Sequence, residues 1–263
     1  MLELKNELKN RYEEIAKTGN ENATASDFLL RELEIECALK FIRDGDKLLD
    51  VGCGPGVALE AYVKSRIGVD AFGIDYAHNM VDFARSRLAA EVPEFKIDIK
   101  HASVTDLPFE NNSFNVVTSH RCLMALLDWE LQKQALVEIH RILKPGGIFV
   151  MLEGTMDGLD KLNSFRRQFQ LSEIDGQGKD NLFTLKFDEQ QLLQFTNKQF
   201  ELLHTQRFGM YYFLTRIVQP LLVAPNKPSY DHTLNLIAKQ IAKVHPDFEG
   251  IGHLVGFVFR KKS

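Results

Sequence analysis

Two apolar periodicities alternate along the first two thirds of the chain. Short runs rich in apolar residues, KLLDV (47–51), DAFGID (70–75), FNVVTS (114–119) and IFVMLE (148–153), have the length and content of strands buried on both faces. Between them lie segments with helical spacing: Val57 to Ser65, Ala77 to Ala90, and a stretch after Asp128 in which Leu131, Ala135, Leu136, Ile139 and Leu143 share one stripe. Asp128 is an N-cap by type and position, and LKPGG (143–147) supplies a stop signal. Another strand ends near His101, before a Leu-Pro-Phe turn at 107–109. This alternation predicts a doubly wound α/β sheet.

The most informative junction is LLDVGCGPG (48–56), where an apolar strand ends in an acid and breaks into Gly52, Gly54 and Gly56. Glycines there let bare backbone approach a ligand, one with a ribose or an amino-acid tail. A dinucleotide fingerprint places its third glycine where this chain has Val57, and a phosphate loop needs a Lys-Ser or Lys-Thr pair that does not follow. Asp75 ends the next strand 25 residues after Asp50, where a carboxylate accepts both ribose hydroxyls. One charge-assisted hydrogen bond is worth about 1.5–3 kcal/mol, enough for one residue to dominate ribose recognition. Its ordinary alternative is the N-cap of the helix that follows.

Together, LLDVGCGPG, FGIDYAHNMVDFAR, VTDLPFENNSFNVV and ILKPGGIFV resemble class I S-adenosylmethionine (SAM)-dependent methyltransferases of the ubiquinone-biosynthesis type, over residues 45–155. The resemblance implies a Rossmann-like, mostly parallel seven-stranded sheet with an antiparallel last strand, and SAM as cofactor. It implies that Asp50, Gly52, Cys53, Gly54 and Gly56 surround the methionine end, with Asp75 on the ribose, Tyr76 and Met80 flanking the adenine, and Ser119 at the end of the fourth strand. Where relatives carry a Gly-Asp pair, this chain has Ala102 and Ser103, so the adenine amino group falls to Ser103 with the Val104 amide, or to Asp106 as a rival.

The flanking segments are expected to govern substrate choice. Residues 2–17 and 26–43 read as helices, with Leu4, Leu8 and Ile15 on one stripe and Leu29, Leu33 and Leu39 on the other. In similar methyltransferases such a segment closes over the cofactor, which makes Tyr12 and Arg31 candidates for its carboxylate; the plain role of Arg31 is a surface ion pair. Beyond Glu153, Gly158 to Leu171 reads as helical, Asn181 to Phe187 as extended, Asp188 to Gln199 as helical, and Glu201 to Phe208 and His253 to Arg260 as the last strands. A hairpin connection usually takes about 2–5 residues. Here Gly209 to Gly252 intervenes, read as a helical lid at the carboxyl edge of the sheet, with a helix from Thr233 to Val244.

The expected organisation is therefore 1–44 as N-terminal helices over the cofactor, 45–208 plus 253–263 as a SAM-binding core, and 209–252 as the lid. Tyr211, Tyr212 and Phe213 would supply aromatic walls, one or two facing the acceptor while the rest pack the lid onto the sheet, and Arg121 would meet an acidic group of the acceptor. His120 and His253, both at the carboxyl edge, are candidate general bases, against the common role of histidine as a half-buried structural side chain.

Composition narrows the partners. A net charge of −4 over 263 residues, with only short basic clusters at Arg166–Arg167 and Arg260–Lys262, argues against a nucleic-acid groove. Cys37, Cys53 and Cys122 are too scattered for a disulfide framework or a metal site and fit a reducing cytoplasm. The first residues lack the apolar stretch of a signal peptide, and Tyr211 to Ala224, interrupted by Arg216 and Pro220, is too short to cross a bilayer. The expectation is a cytoplasmic methyltransferase, monomer or homodimer, acting on a small molecule, with oxygen preferred slightly over nitrogen as acceptor. The alternatives are a noncatalytic SAM-binding subunit and a nicotinamide-dependent reductase.

Overall fold

The structure, a computed structural model, describes residues 2–176 and 183–262, with the side chains of the first helix described from Asn6 onward. Its strands are β1 (Lys47–Val51), β2 (Asp70–Asp75), β3 (Ile97–His101), β4 (Phe114–His120), β5 (Leu143–Gly154), β6 (Phe200–Arg207) and β7 (Leu254–Lys261). They form one seven-stranded sheet in the order β3-β2-β1-β4-β5-β7-β6. The first five pair in parallel, and β7 runs antiparallel between β5 and β6, as expected from the sequence.

Side chains alternate across this sheet because the strand period is two. Leu48, Val116, Val150, Leu152 and Val258 enter one core, while Leu49, Val51, Val117, Phe149, Met151 and Phe257 enter the other. Both faces are covered, so the strands read as apolar runs. The first core is closed by α2 (Phe28–Leu39), α3 (Val57–Ser65), α4 (His78–Glu91) and α6 (Met156–Gln168), and the second by α5 (Trp129–Ile142) and α7 (Glu189–Thr196). The N-terminal helix α1 (Leu2–Lys17) lies against α4 and adds a small separate cluster of Tyr12, Ile15, Ala16, Ala77, Met80 and Phe83.

Element ends differ from expectation where side chains cap them. Asp27 accepts the Leu30 amide at 3.2 Å and starts α2 two residues late, and Thr155 Oγ1 accepts from Gly158 N at 3.3 Å and starts α6 early. β5 begins at Leu143, which pairs with Phe114 before the glycines shift the register. Of the stretch expected to be extended from Asn181 to Phe187, residues 181 and 182 lie outside the described residues. The rest touches the sheet through one bridge, Phe187 to Thr155.

The connection between β6 and β7 is a nearly continuous helical run, α8 (Gly209–Phe213), a π-helical turn (Leu214–Val218) and α9 (Gln219–Val223), followed by α10 (Thr233–Val244). It packs on α2. The Asp27 carboxylate accepts from the Tyr211 hydroxyl at 2.6 Å and pairs with Arg216, while Lys243 pairs with Glu36 at 2.5 Å and Lys239 pairs with Glu32. Gly252 (φ +102°) permits the fit, since a Cβ there would stand 2.2 Å from the Tyr212 ring.

Asp27 thus caps one helix and anchors the insertion with the same two oxygens. Asp27→Ala should cost about 3–5 kcal/mol in urea unfolding, because the buried Arg216 loses its counter-ion. Asp27→Asn, which keeps an acceptor, should cost less.

Candidate functional site

The carboxyl ends of β1, β2 and β4 frame a cavity of about 470 Å³, within the usual range for small-ligand sites. Its floor is the turn after β1. Gly52 (φ +67°) lies so close to the loop after β4 that a Cβ would meet Cys122 Sγ at 2.4 Å, whereas a Cβ on Gly54 (φ +52°) would meet nothing within 4 Å. Gly54 is therefore where backbone is open to a ligand. Gly56 is not on the cavity wall: its missing Cβ makes room for Leu88 of α4. The turn is pinned to β2 by Cys53 N donating to Ile74 O at 2.9 Å.

Asp75 stands at the end of β2 on the same cavity. Its Oδ2 accepts from Gly54 N at 3.1 Å and its Oδ1 from Ala77 N at 2.9 Å. Burial pushes this carboxyl up to about 6, partly offset by those amides. Asp50, register partner of Thr118, accepts from the Thr118 hydroxyl at 2.7 Å, and burial raises its carboxyl above the ordinary range. A carboxylate fixed by two amides beside an open glycine backbone fits a ribose diol, and Asp50 fits a cationic amino group. Both are parts of SAM.

At the far wall Ser103, Val104 and Thr105 follow β3, with Ser103 Oγ 2.7 Å from Thr105 Oγ1. Asp106 folds back through its amide to Ser103 O at 3.1 Å, and the residue is exposed and off the cavity. Tyr76 is on the rim, 56 % exposed, its ring 6.0 Å from that of His101. Met80 lies beneath it, away from the cavity, buried against Tyr12 and Ala16.

The roof comes from α1 and the segment after it, through Leu8, Tyr12, Thr24, Ala25 and Arg31. Burial, then the nearby Asp75, raises the Tyr12 phenol. What fixes α1 is Glu13, whose two oxygens accept the first amides of α4, His78 N at 2.9 Å and Asn79 N at 2.7 Å. This carboxylate at a helix N-terminus does the capping considered for Asp75. Among the described residues Arg31 makes no surface ion pair. It donates to Glu21 O at 3.0 Å and to Asn22 Oδ1 at 2.5 Å, and so shapes the link before α2.

The two histidines part company. His120 lines the cavity, yet its Nε2 is 2.7 Å from the Tyr62 hydroxyl, and its buried Nδ1 faces Glu34 at 3.5 Å. His253 is off the cavity, with Nε2 3.4 Å from the Tyr212 hydroxyl. Burial, helped by Lys186, Arg216 and Arg121, pushes His253 down to about 3, too weak for a general base at neutral pH. Tyr211 and Tyr212 are wholly buried between the insertion and α2, so neither meets the cavity, nor does any other residue of 209–252. Ser119 is likewise off it, buried beside Glu153.

Three acids that shape the site were not singled out in the sequence. Besides Glu13, Glu153 is fully buried at the end of β5 and accepts from Cys122 N (3.1 Å), Leu123 N (2.9 Å) and Met124 N (3.0 Å), which fixes the turn after β4. Burial holds it at about 7 despite those amides. Glu34, also fully buried, stands 3.3 Å from Arg121 and 3.5 Å from His120. Glu153 ends an apolar run, IFVMLE, where an acid implies a buried partner, whereas Glu34 stands among Arg31, Glu32 and Glu36 in LLRELEIECAL and is not marked out. The cavity wall contributed by Met124, Leu126, Leu127, Leu131 and Phe183 is apolar and gave no local signal.

Residues 49–151 match the profile of the family described as "Methyltransferase domain". The ubiquinone/menaquinone biosynthesis C-methyltransferase UbiE of Geotalea daltonii is 34 % identical over 116 residues, 44 % of this chain and 48 % of that protein. A demethylmenaquinone methyltransferase of Staphylococcus aureus is 38 % identical over 115 residues, 43 % of this chain and 44 % of its own. The chain thus spans less than half the length of these curated relatives. Among solved structures, a Haloferax volcanii methyltransferase complex with the activator Trm112 superposes with a TM-score of 0.64 at 19 % identity, over 96 % of this chain and 98 % of that one, a likeness of fold. Among the described residues no helix is long and apolar enough to cross a membrane.

Asp75 carries a linkage consequence. Its folded value of about 6 lies above the ordinary 3.8, so the stability it contributes is present below about 4 and lost as pH rises through 6. Asp75→Asn should be close to the wild type at pH 4 and exceed it by about 2–3 kcal/mol at pH 7.5 in ligand-free unfolding.

Proposed function

Residues 49–151 form a class I SAM-dependent methyltransferase domain, and from that premise we propose that the protein transfers the methyl group of SAM to a small-molecule acceptor entering beside the end of β4. The observation that carries this reading is the continuity of one cavity, from the Asp50, Gly54 and Asp75 cradle to the apolar wall of Met124, Leu126, Leu131 and Phe183.

When bound, SAM supplies an electrophilic methyl on sulfonium. The chain's part is to place and shield. Asp75 receives the ribose hydroxyls, Asp50 the amino group, the Gly52–Gly54 backbone admits the methionine end, and Ser103 with Val104 meets the adenine. The α1 roof, latched by Glu13, excludes water. Alignment of this kind supplies about 7–11 kcal/mol of barrier reduction.

The make-up of the wall supports one class of acceptor over another. His120 has both ring nitrogens turned to protein groups and His253 is out of reach, so no free imidazole is offered as base. That favours an acceptor that ionises readily, of phenol or enol class, methylated at its oxygen or at the carbon that the oxygen makes electron-rich, over an alcohol needing a strong base. The names of the curated relatives, C-methyltransferase and demethylmenaquinone methyltransferase, support the carbon variant of the same class.

Calorimetry with SAM and NADH tests the donor. SAM should bind and NADH should not, and Asp75→Ala should weaken SAM by about 10- to 150-fold, the worth of a charge-assisted hydrogen bond. Preferential binding of NADH overturns the assignment. A tritiated-methyl screen over small phenols and enols then tests transfer, and SAM binding with no transfer to any acceptor would indicate a regulatory subunit. His253→Gln should leave the turnover number within about twofold, since a general base would contribute about 10²–10⁴.

A further inference from the structure

Arg121 is held in an unusual way for a side chain whose ion-pair partner, Glu34, stands 3.3 Å away without a hydrogen bond. It follows β4 directly, in the left-handed region (φ +54°) that a residue with a Cβ seldom enters. The backbone around it is fixed from two sides: its own amide donates to Leu152 O at 2.8 Å, and the next three amides are taken by Glu153. Arg121 lines the cavity and, among the described residues, its guanidinium donates no hydrogen bond and pairs with Glu34 at 3.3 Å. Its companion Arg31 is by contrast engaged with Glu21 and Asn22.

Behind it stands Glu34, on the buried side of α2. Its carboxylate lies 3.3 Å from Arg121 and 3.5 Å from His120, and both oxygens lack a hydrogen bond. A carboxylate that gives up solvent without gaining hydrogen bonds is poor as a stabilising element. As a fixed counter-charge it sets where the guanidinium points while leaving the forked N–H donors free for a planar pair of oxygens.

We propose that Arg121 is an anion-binding residue of the cavity, gripping a carboxylate through its unengaged donors, and that Glu34 is the positioning residue that holds it there. This rests on reading the cavity as a methyl-transfer site. The carboxylate belongs either to the amino-acid end of SAM or to the acceptor.

Binding measurements on the full chain separate these sources. The probes are SAM, 5′-methylthioadenosine, which has the nucleoside without the amino-acid tail, and benzoate, titrated with and without S-adenosylhomocysteine. If the donor supplies the carboxylate, Arg121→Met weakens SAM by about 10- to 100-fold and leaves methylthioadenosine within about twofold. If the acceptor supplies it, SAM binding holds and benzoate affinity falls by a similar factor. Arg121→Lys should retain part of either affinity, because it keeps the charge and loses the fork. Glu34→Gln should lose about 3- to 10-fold on the same probe, with Glu34→Asp recovering part, while methylthioadenosine binding stays as in the wild type.

Unchanged SAM and benzoate affinities in Arg121→Met overturn the proposal. Equal loss of methylthioadenosine in Glu34→Gln would reduce Glu34 to a structural role and overturn that half. Failure of the wild type to bind either nucleoside would sink the methyl-transfer reading instead, and benzoate titrated alone would still decide Arg121.

Discussion

The Asp75 carboxylate, bridging the amides of Gly54 and Ala77, is the contact on which the site is built. One oxygen fixes the turn after β1 and the other fixes the entry to α4, so the edges of two neighbouring strands are tied through a single side chain. With Cys53 N on Ile74 O, the bond holds the glycine backbone in its left-handed path and keeps Gly54 open to the cavity. The same group is raised by burial, so the molecule carries a destabilised anion on the wall of the cavity.

Carboxylates do comparable work elsewhere around the sheet. Glu13 latches α1 onto the start of α4, Glu153 gathers three consecutive amides after β4, and Asp27 joins α2 to the insertion. Each links elements distant in sequence at a point where backbone amides or an arginine would otherwise be buried without a partner. In a fold whose strands are nearly all apolar, such groups give the loops at the carboxyl edge a defined position, which hydrophobic contact alone does not specify.

The insertion between β6 and β7 has another role from the one its aromatic content suggests. Tyr211 and Tyr212 are wholly buried, one on Asp27 and the other beside His253, so the segment thickens the wall behind α2. The roof of the cavity is α1 instead, joined to the rest mainly through α4. Arg121 and the apolar side chains after it, held by Glu153, face that roof across the cavity.

The chain's own order of residues was enough for the layered sheet and the glycine turn, because strand and helix periodicity, the cap at Asp128 and the LLDVGCGPG break are local properties, while the reversed final strand was read from the resemblance. That Asp50, Asp75, Ser103 and Arg121 line one cavity follows from their position: each sits at the end of a strand or just beyond it, and strand ends at one edge of a parallel sheet converge. Which histidine faces the cavity, which helix covers it, and that Glu13, Glu34 and Glu153 serve it were settled by packing alone. Those roles depend on contacts between residues from 29 to 87 positions apart, as in Glu153 with Met124 and Glu34 with Arg121, and no local pattern records the partner.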